Sequence, residues 1–188
     1  MEIANDVKIR KYNMKLYPRY LTLGFDLLFF YGVRVMYLSE VKGMTSSQIL
    51  LSATIYAISM CIMQIPVTII TSKIGYKNSA ILGNILNIVW AIMIMKFNTF
   101  MGLAIAQFIS GFGFALKYVS ESNLLSSSIP QAPTYQRNEI FTRIDKKGFF
   151  RYCIISAIST VVSGFLYNIN VYIPIILCLI CIIAATII

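Results

Sequence analysis

The sequence predicts an all-α membrane protein, a bundle of six transmembrane helices, and three observations carry that expectation. Hydrophobic residues make up 58% of the 188 and charged residues only 12%, a balance too apolar for a soluble domain of this size. The apolar residues gather into six runs close to the ~20 residues that cross a bilayer. The basic residues behind the formal charge of +9 fall in the gaps between those runs rather than on one face interleaved with aromatics. Lipid is therefore the expected partner, and nucleic acid is not.

Taken in order, residues 1–19 form a basic N-terminal segment. "MEIANDVKIRKYNMKLYPRY" has no small-residue cleavage site after a short apolar core, so it reads as a retained cytoplasmic segment rather than a removed signal. Spans one to four occupy 20–125: "LTLGFDLLFFYGVRVMYL" (21–38), "QILLSATIYAISMCIMQIPVTII" (48–70), "AILGNILNIVWAIMIM" (80–95) and "FMGLAIAQFISGFGFALKYVSESNLL" (100–125). "TSSQ" supplies an N-cap for the second span, and Asn98-Thr99 one for the fourth. Residues 126–148 form a cytoplasmic link. Ile140, Phe141 and Ile144 among charged neighbours predict a short amphipathic helix there, lying on the membrane. Spans five ("FFRYCIISAISTVVSGFLYNI", 149–169) and six ("VYIPIILCLICIIAATII", 171–188) complete the set.

Flanking charge sets the orientation, because positive loops stay in the cytoplasm. Lys8, Arg10, Lys11, Lys15 and Arg19 precede the first span. Lys73 and Lys77 lie between the second and third spans, and Arg137, Arg143, Lys146, Lys147 and Arg151 lie in or beside the link; only Lys42 and Lys96 stand on the other side. Both termini are expected in the cytoplasm, with the chain in the cell membrane.

Ionisable groups inside a span are costly and need a partner, water or a function. At ~1.5 Å per residue, Asp26 lies roughly 8 Å inside the cytoplasmic end of its span, and Lys117 lies at a comparable depth in the fourth. Gln64 is at a similar level, so the three are expected to converge on one polar spot. That spot is either a binding or proton-carrying site or a buried pair that only fixes packing. Arg34, about 6 Å from the outer end of its span, either snorkels to the headgroups or lines a cavity. Glu121 is one turn beyond Lys117, which offers an i, i+4 pair near the cytoplasmic interface.

Other features have plainer readings. Cys61, Cys153, Cys178 and Cys181 lie in apolar stretches, and Cys178-x-x-Cys181 lacks both a redox context and a second ligand pair, so all four read as packing residues. Gly111-x-x-x-Ala115 is a small-residue face for close helix approach, with neither the preceding strand nor the lysine-serine pair of a nucleotide loop. Pro66 and Pro174 are expected kink points. Trp90, Tyr31, Tyr37 and Tyr56 read as belt or packing aromatics. With no histidine, the chain offers no serine-histidine dyad and no usual zinc site, so neither an enzyme nor a metal or cofactor site is expected.

The link "IPVTIITSKIGYKNS" compresses two lysines and a glycine between two apolar runs. It resembles the signature loop of the major facilitator superfamily, Gly-x-x-x-Asp-Arg-x-Gly-Arg-Arg/Lys. Lys73, Gly75 and Lys77 keep its basic-x-Gly-x-basic core, while Thr68 and Ser72 replace its first glycine and its aspartate. "SEVKGMTSSQI", "QIP", "AQFISGFGFALKYVSESNLL", with Glu121 at an acidic position, and "RNEIFTRIDKKG" are similar to further parts of that family in the same order. The resemblance implies the N-terminal six-helix half of a secondary transporter, carrying a small solute, with or without proton coupling, around Asp26, Arg34, Gln64, Lys117 and Glu121. It also implies a second half, from another chain or a second copy, and "SAISTVVSGFLYNI" lacks the glycine-proline pattern of the drug antiporters. The run ending at Ile188 without a basic flank suggests a split or shortened product. The alternative is therefore a non-transporting remnant or partner-binding membrane module.

Overall fold

The computed structural model of the chain describes residues 2–131 and 133–187, with side chains from Val7 onward. Met1, Ala132 and Ile188, which belong to the expected N-terminal segment, link and sixth span, lie outside the described residues. Every regular element among the described residues is helical. α1 (Glu2–Gly24) is followed by a 3-10 turn (Tyr31–Val33), the one-turn α2 (Arg34–Met36) and a π turn (Tyr37–Val41). Then come α3 (Ser46–Ile74), α4 (Tyr76–Lys96), α5 (Phe100–Ser128), α6 (Thr134–Ile169) and α7 (Ile173–Ile187).

The caps expected from sequence form. Thr45 accepts from Gln48 N while the Gln48 side chain accepts from Thr45 N, closing a capping box on α3, and the Thr99 hydroxyl accepts from Gly102 N at the start of α5. Between α3 and α4 there is a single residue, Gly75, at φ +84°. A side chain there would be strained, so the tight reversal needs glycine.

Four helices, α3, α4, α5 and α6, are long and apolar enough to cross a membrane. The expected first span is not one of them, because its helix stops at Gly24 and the chain continues irregularly to Val41. α7 is apolar, but its described part is shorter than a typical crossing. Pro174 sits in the first turn of α7, where its missing N–H costs nothing, so it starts a helix instead of kinking one. Pro66 lies inside α3 as expected.

Residues 134–148 also differ from expectation. They are continuous with the fifth span in one 36-residue helix, about 54 Å long and well beyond the ~30 Å hydrocarbon core. Phe141 and Ile144 pack with Tyr17, Leu21 and Leu125, so their apolar face covers α1 and the end of α5.

α5 is the central element, with α4 along one side and α3 along the other, while α1 packs on α6 and α7. Gly111 admits the α3 backbone: a β-carbon there would come within 2.6 Å of the Tyr56 carbonyl, confirming the small-residue face at the crossing. The main core gathers Phe30, Tyr37, Trp90, Phe114 and Ile175, with Trp90 edge-on to Phe30 at 5.5 Å. Cys178 belongs to this core, Cys181 is half-buried, and Cys61 and Cys153 are exposed. At the α4 C-terminus, Lys42 donates to the Met95 carbonyl at 2.9 Å and to Asn98 at 2.7 Å, and burial pushes its pKa down.

Candidate functional site

The break in the first span organises the polar residues. Past Gly24 the backbone bends at Phe25 and Asp26, and Phe29 adopts φ +64°. A bulky residue there is a genuine outlier, worth about 1–3 kcal/mol of strain, and persists only where its surroundings dictate it. Charged side chains stand at the start of the break. The Lys117 ammonium donates to the Gly24 carbonyl, a group left open when the helix ends, and lies 4.9 Å from the centre of the Phe114 ring. Asp26 accepts from Leu27 N at 2.7 Å with one oxygen and from the Tyr152 hydroxyl at 3.3 Å with the other.

The structure thus brings Asp26 and Lys117 to the same place without pairing them. Lys117 meets a backbone carbonyl instead, because the broken helix presents an acceptor that an unbroken span would not have. Gln64 does not join them; its side chain is exposed on α3. The expected Lys117–Glu121 pair near the interface is also absent. Glu121 is buried, and its carboxylate accepts a 2.5 Å bond from the Tyr20 hydroxyl, which Asn84 in turn approaches at 3.5 Å. That bond partners the buried carboxyl, with Lys117 as an electrostatic neighbour one turn away.

Phenols recur as carboxylate partners. Tyr17 donates to Asp145 at 3.2 Å and Tyr167 to Glu40 at 3.0 Å, so tyrosines hold four of the seven acidic side chains. Burial, then the Asp145 and Glu121 charges, push the Tyr17 phenol well above its ordinary range, keeping it a donor. From sequence, only Tyr31, Tyr37 and Tyr56 have an expected place, as belt or packing groups, and Tyr17, Tyr20, Tyr152 and Tyr167 have none; each of the latter four meets an acid on a distant element, so no local signal marks the pairs.

Arg34, on α2, is half-buried, and its Nε and Nη2 are buried with no hydrogen-bond partner. Tyr31, Tyr56 and Asp26 are its electrostatic neighbours. A snorkelling guanidinium would present these nitrogens to water and headgroups, so the buried edge favours the lining reading. The signature-loop residues stand apart from this layer: Ser72 and Lys73 are exposed in the last turn of α3, and Lys77 is exposed at the start of α4. Lys73 complements the negative helix end, and Ser72 bonds only back to the Ile69 carbonyl.

Two faces flank the break. On α3 the exposed Thr54, Ala57, Cys61, Gln64, Thr68 and Ser72 fall within an arc of about 80° on an ideal helix, which Leu50 shares and Ile65 borders, beside the exposed Leu51, Ile58, Ile62 and Ile69. On α6 the exposed Cys153, Ala157, Thr160, Gly164 and Asn168 form a similar arc beside Ile154, Ile158, Val162 and Phe165. α4 and α7 expose only aliphatic residues at mid-helix, Ile85, Val89 and Ile92 on one and Ile176, Ile180 and Ile183 on the other.

Fold and site together define the class: an all-helical protein with several apolar helices of membrane-crossing length and an ionic layer at a helix break. Compared with known proteins, the chain matches no family model and no curated protein.

Proposed function

We propose that the chain is one six-helix half of a secondary transporter of the major facilitator type, moving a small solute by alternating access. The single observation that carries this reading is the broken first span, with Asp26 on irregular backbone and Arg34 in the short α2 that follows it. Irregular backbone at membrane depth is tolerated where it is enclosed by protein or lines a cavity, and binding sites of transporters are built on discontinuous helices. In this reading the end of α1 with residues 25–41 makes the first crossing and α7 the sixth. The basic ends of the helices then lie in the cytoplasm, and Lys73, Gly75 and Lys77 anchor one cytoplasmic turn.

Six helices give one wall of a path. The polar arcs of α3 and α6, on either side of the break, suit a second half better than lipid, whereas the aliphatic faces of α4 and α7 suit lipid. The second half is a second copy or another chain. The test is native mass spectrometry of the purified chain in nanodiscs, alone and with any co-encoded six-helix chain, followed by proteoliposome flux. A stable dimer or heterodimer is expected. With it, Asp26→Asn abolishes proton flux, read by an entrapped pH dye, or solute-dependent flux, without lowering yield. A monomer under all conditions, or unchanged flux, would sink the reading and leave a non-transporting module.

A further inference from the structure

We infer that Arg34 anchors a site for an oxyanion, the carboxylate or phosphate group of a small solute. This deepens the transporter reading and rests on it for the solute's passage, but not for its binding. The two orphaned nitrogens, Nε and Nη2, share one edge of the guanidinium and point their N–H bonds in parallel. That edge matches the two oxygens of a carboxylate or phosphate with two parallel bonds.

Among the described side chains with buried, unpartnered polar atoms, Arg34 is the only charged one; the others are hydroxyls, amides and an indole. Two buried N–H groups of a cation without an acceptor cost more than a neutral orphan. No described side chain accepts from that edge. Asp26, the one carboxylate among the electrostatic neighbours of Arg34, has one oxygen on Leu27 N and the other on Tyr152. Glu40 and Glu121 are held by Tyr167 and Tyr20. Lys117 is already engaged by the Gly24 carbonyl. Each of these charges has a partner within the fold, and Arg34 alone is left for a ligand. Tyr31 and Tyr56 beside it add phenols that can donate to the same oxyanion.

The experiment is thermal unfolding of the purified chain in nanodiscs with benzoate, phenyl phosphate or the neutral benzamide, for wild type, Arg34→Met and Arg34→Lys. The wild-type midpoint should rise by several degrees with benzoate or phenyl phosphate and stay put with benzamide; whichever anion acts names the oxyanion. Arg34→Met should keep or raise the ligand-free midpoint, since the unpaired charge is gone, and lose the anion response. Should Arg34→Met fail to fold, Arg34→Lys decides, with charge but no fork and at least a tenfold weaker response. An indifferent wild type, an equal response to benzamide, or an unweakened response in either variant would overturn the site. So would a fall in the ligand-free midpoint of Arg34→Met matched by Asp26→Asn, which would mark an internal ion pair. Anion binding without flux would keep this site and remove the transporter reading; flux without anion binding would do the reverse.

Discussion

The first span and α5 carry similar chemistry and solve it in opposite ways. Each holds one acid and one base inside a long apolar stretch: Asp26 and Arg34 in the first, Lys117 and Glu121 in the second. α5 stays helical over 29 residues, and 61% of its most apolar window is buried, against 11% for α3 and α6. Its backbone is satisfied internally, so its side chains are free to serve neighbours: Lys117 closes the open carbonyl of Gly24, and Glu121 fixes Tyr20. The first span depends on that service. It gives up regular hydrogen bonding over residues 25–30, uses Asp26 to hold Leu27 N, and presents an unpaired guanidinium. The charges of α5 hold the fold in place, and those of the first span are exposed to change.

If that division is right, the largest loss of stability comes from α5. Lys117→Ala removes a charged donor from the Gly24 carbonyl in a buried site, and should cost about 3 kcal/mol. Denaturant unfolding in nanodiscs measures it, and an unchanged midpoint would mean that the break holds itself. Tyr20→Phe comes next. It leaves the buried Glu121 carboxylate without its donor while keeping the ring, so about 2 kcal/mol is expected by the same measurement. A loss below a few tenths would place another donor on Glu121. Asp26→Asn should disturb stability least of the three, by about 1 kcal/mol or less, because an amide oxygen can still accept from Leu27 N. If it proves the most damaging of the three, the comparison is inverted and Asp26 belongs with the structural charges.

These contrasts also explain what the sequence could and could not show. Apolar run length and cap residues located α3, α4 and α5 closely, since Thr45, Thr99 and Gly75 act through their own neighbours, and located only the C-terminal end of α6. The break at Gly24 was invisible because "LTLGFDLLFFYGVRVMYL" is as apolar as a regular span, and only Lys117, 93 residues away, makes the interruption tolerable. Depth alone put Asp26, Gln64 and Lys117 at one level. Rotation about the helix axis, which depends on packing partners such as Gly111 against α3, turned Gln64 outward. The carboxylate–tyrosine pairs join residues 101 to 128 positions apart, beyond any local pattern.

The smallest effect expected sharpens the comparison from outside. Gln64 lies midway along the exposed face of α3, with Cys61 and Thr68 a turn to either side. Nothing within this chain is lost when its side chain is shortened, so Gln64→Ala should leave the unfolding of the isolated chain within about 0.5 kcal/mol of wild type. If the arc meets a second six-helix half, the same substitution should lower the dimer or heterodimer fraction in native mass spectrometry, because an amide in an apolar interface finds its partner across the helices. Ile62→Ala, on the neighbouring aliphatic face, is the control that should leave that fraction unchanged. A Gln64 effect confined to assembly would make α3 the boundary between the two walls. Equal losses at both positions would extend the interface over both faces of α3, and no effect at either would assign its outer surface to lipid.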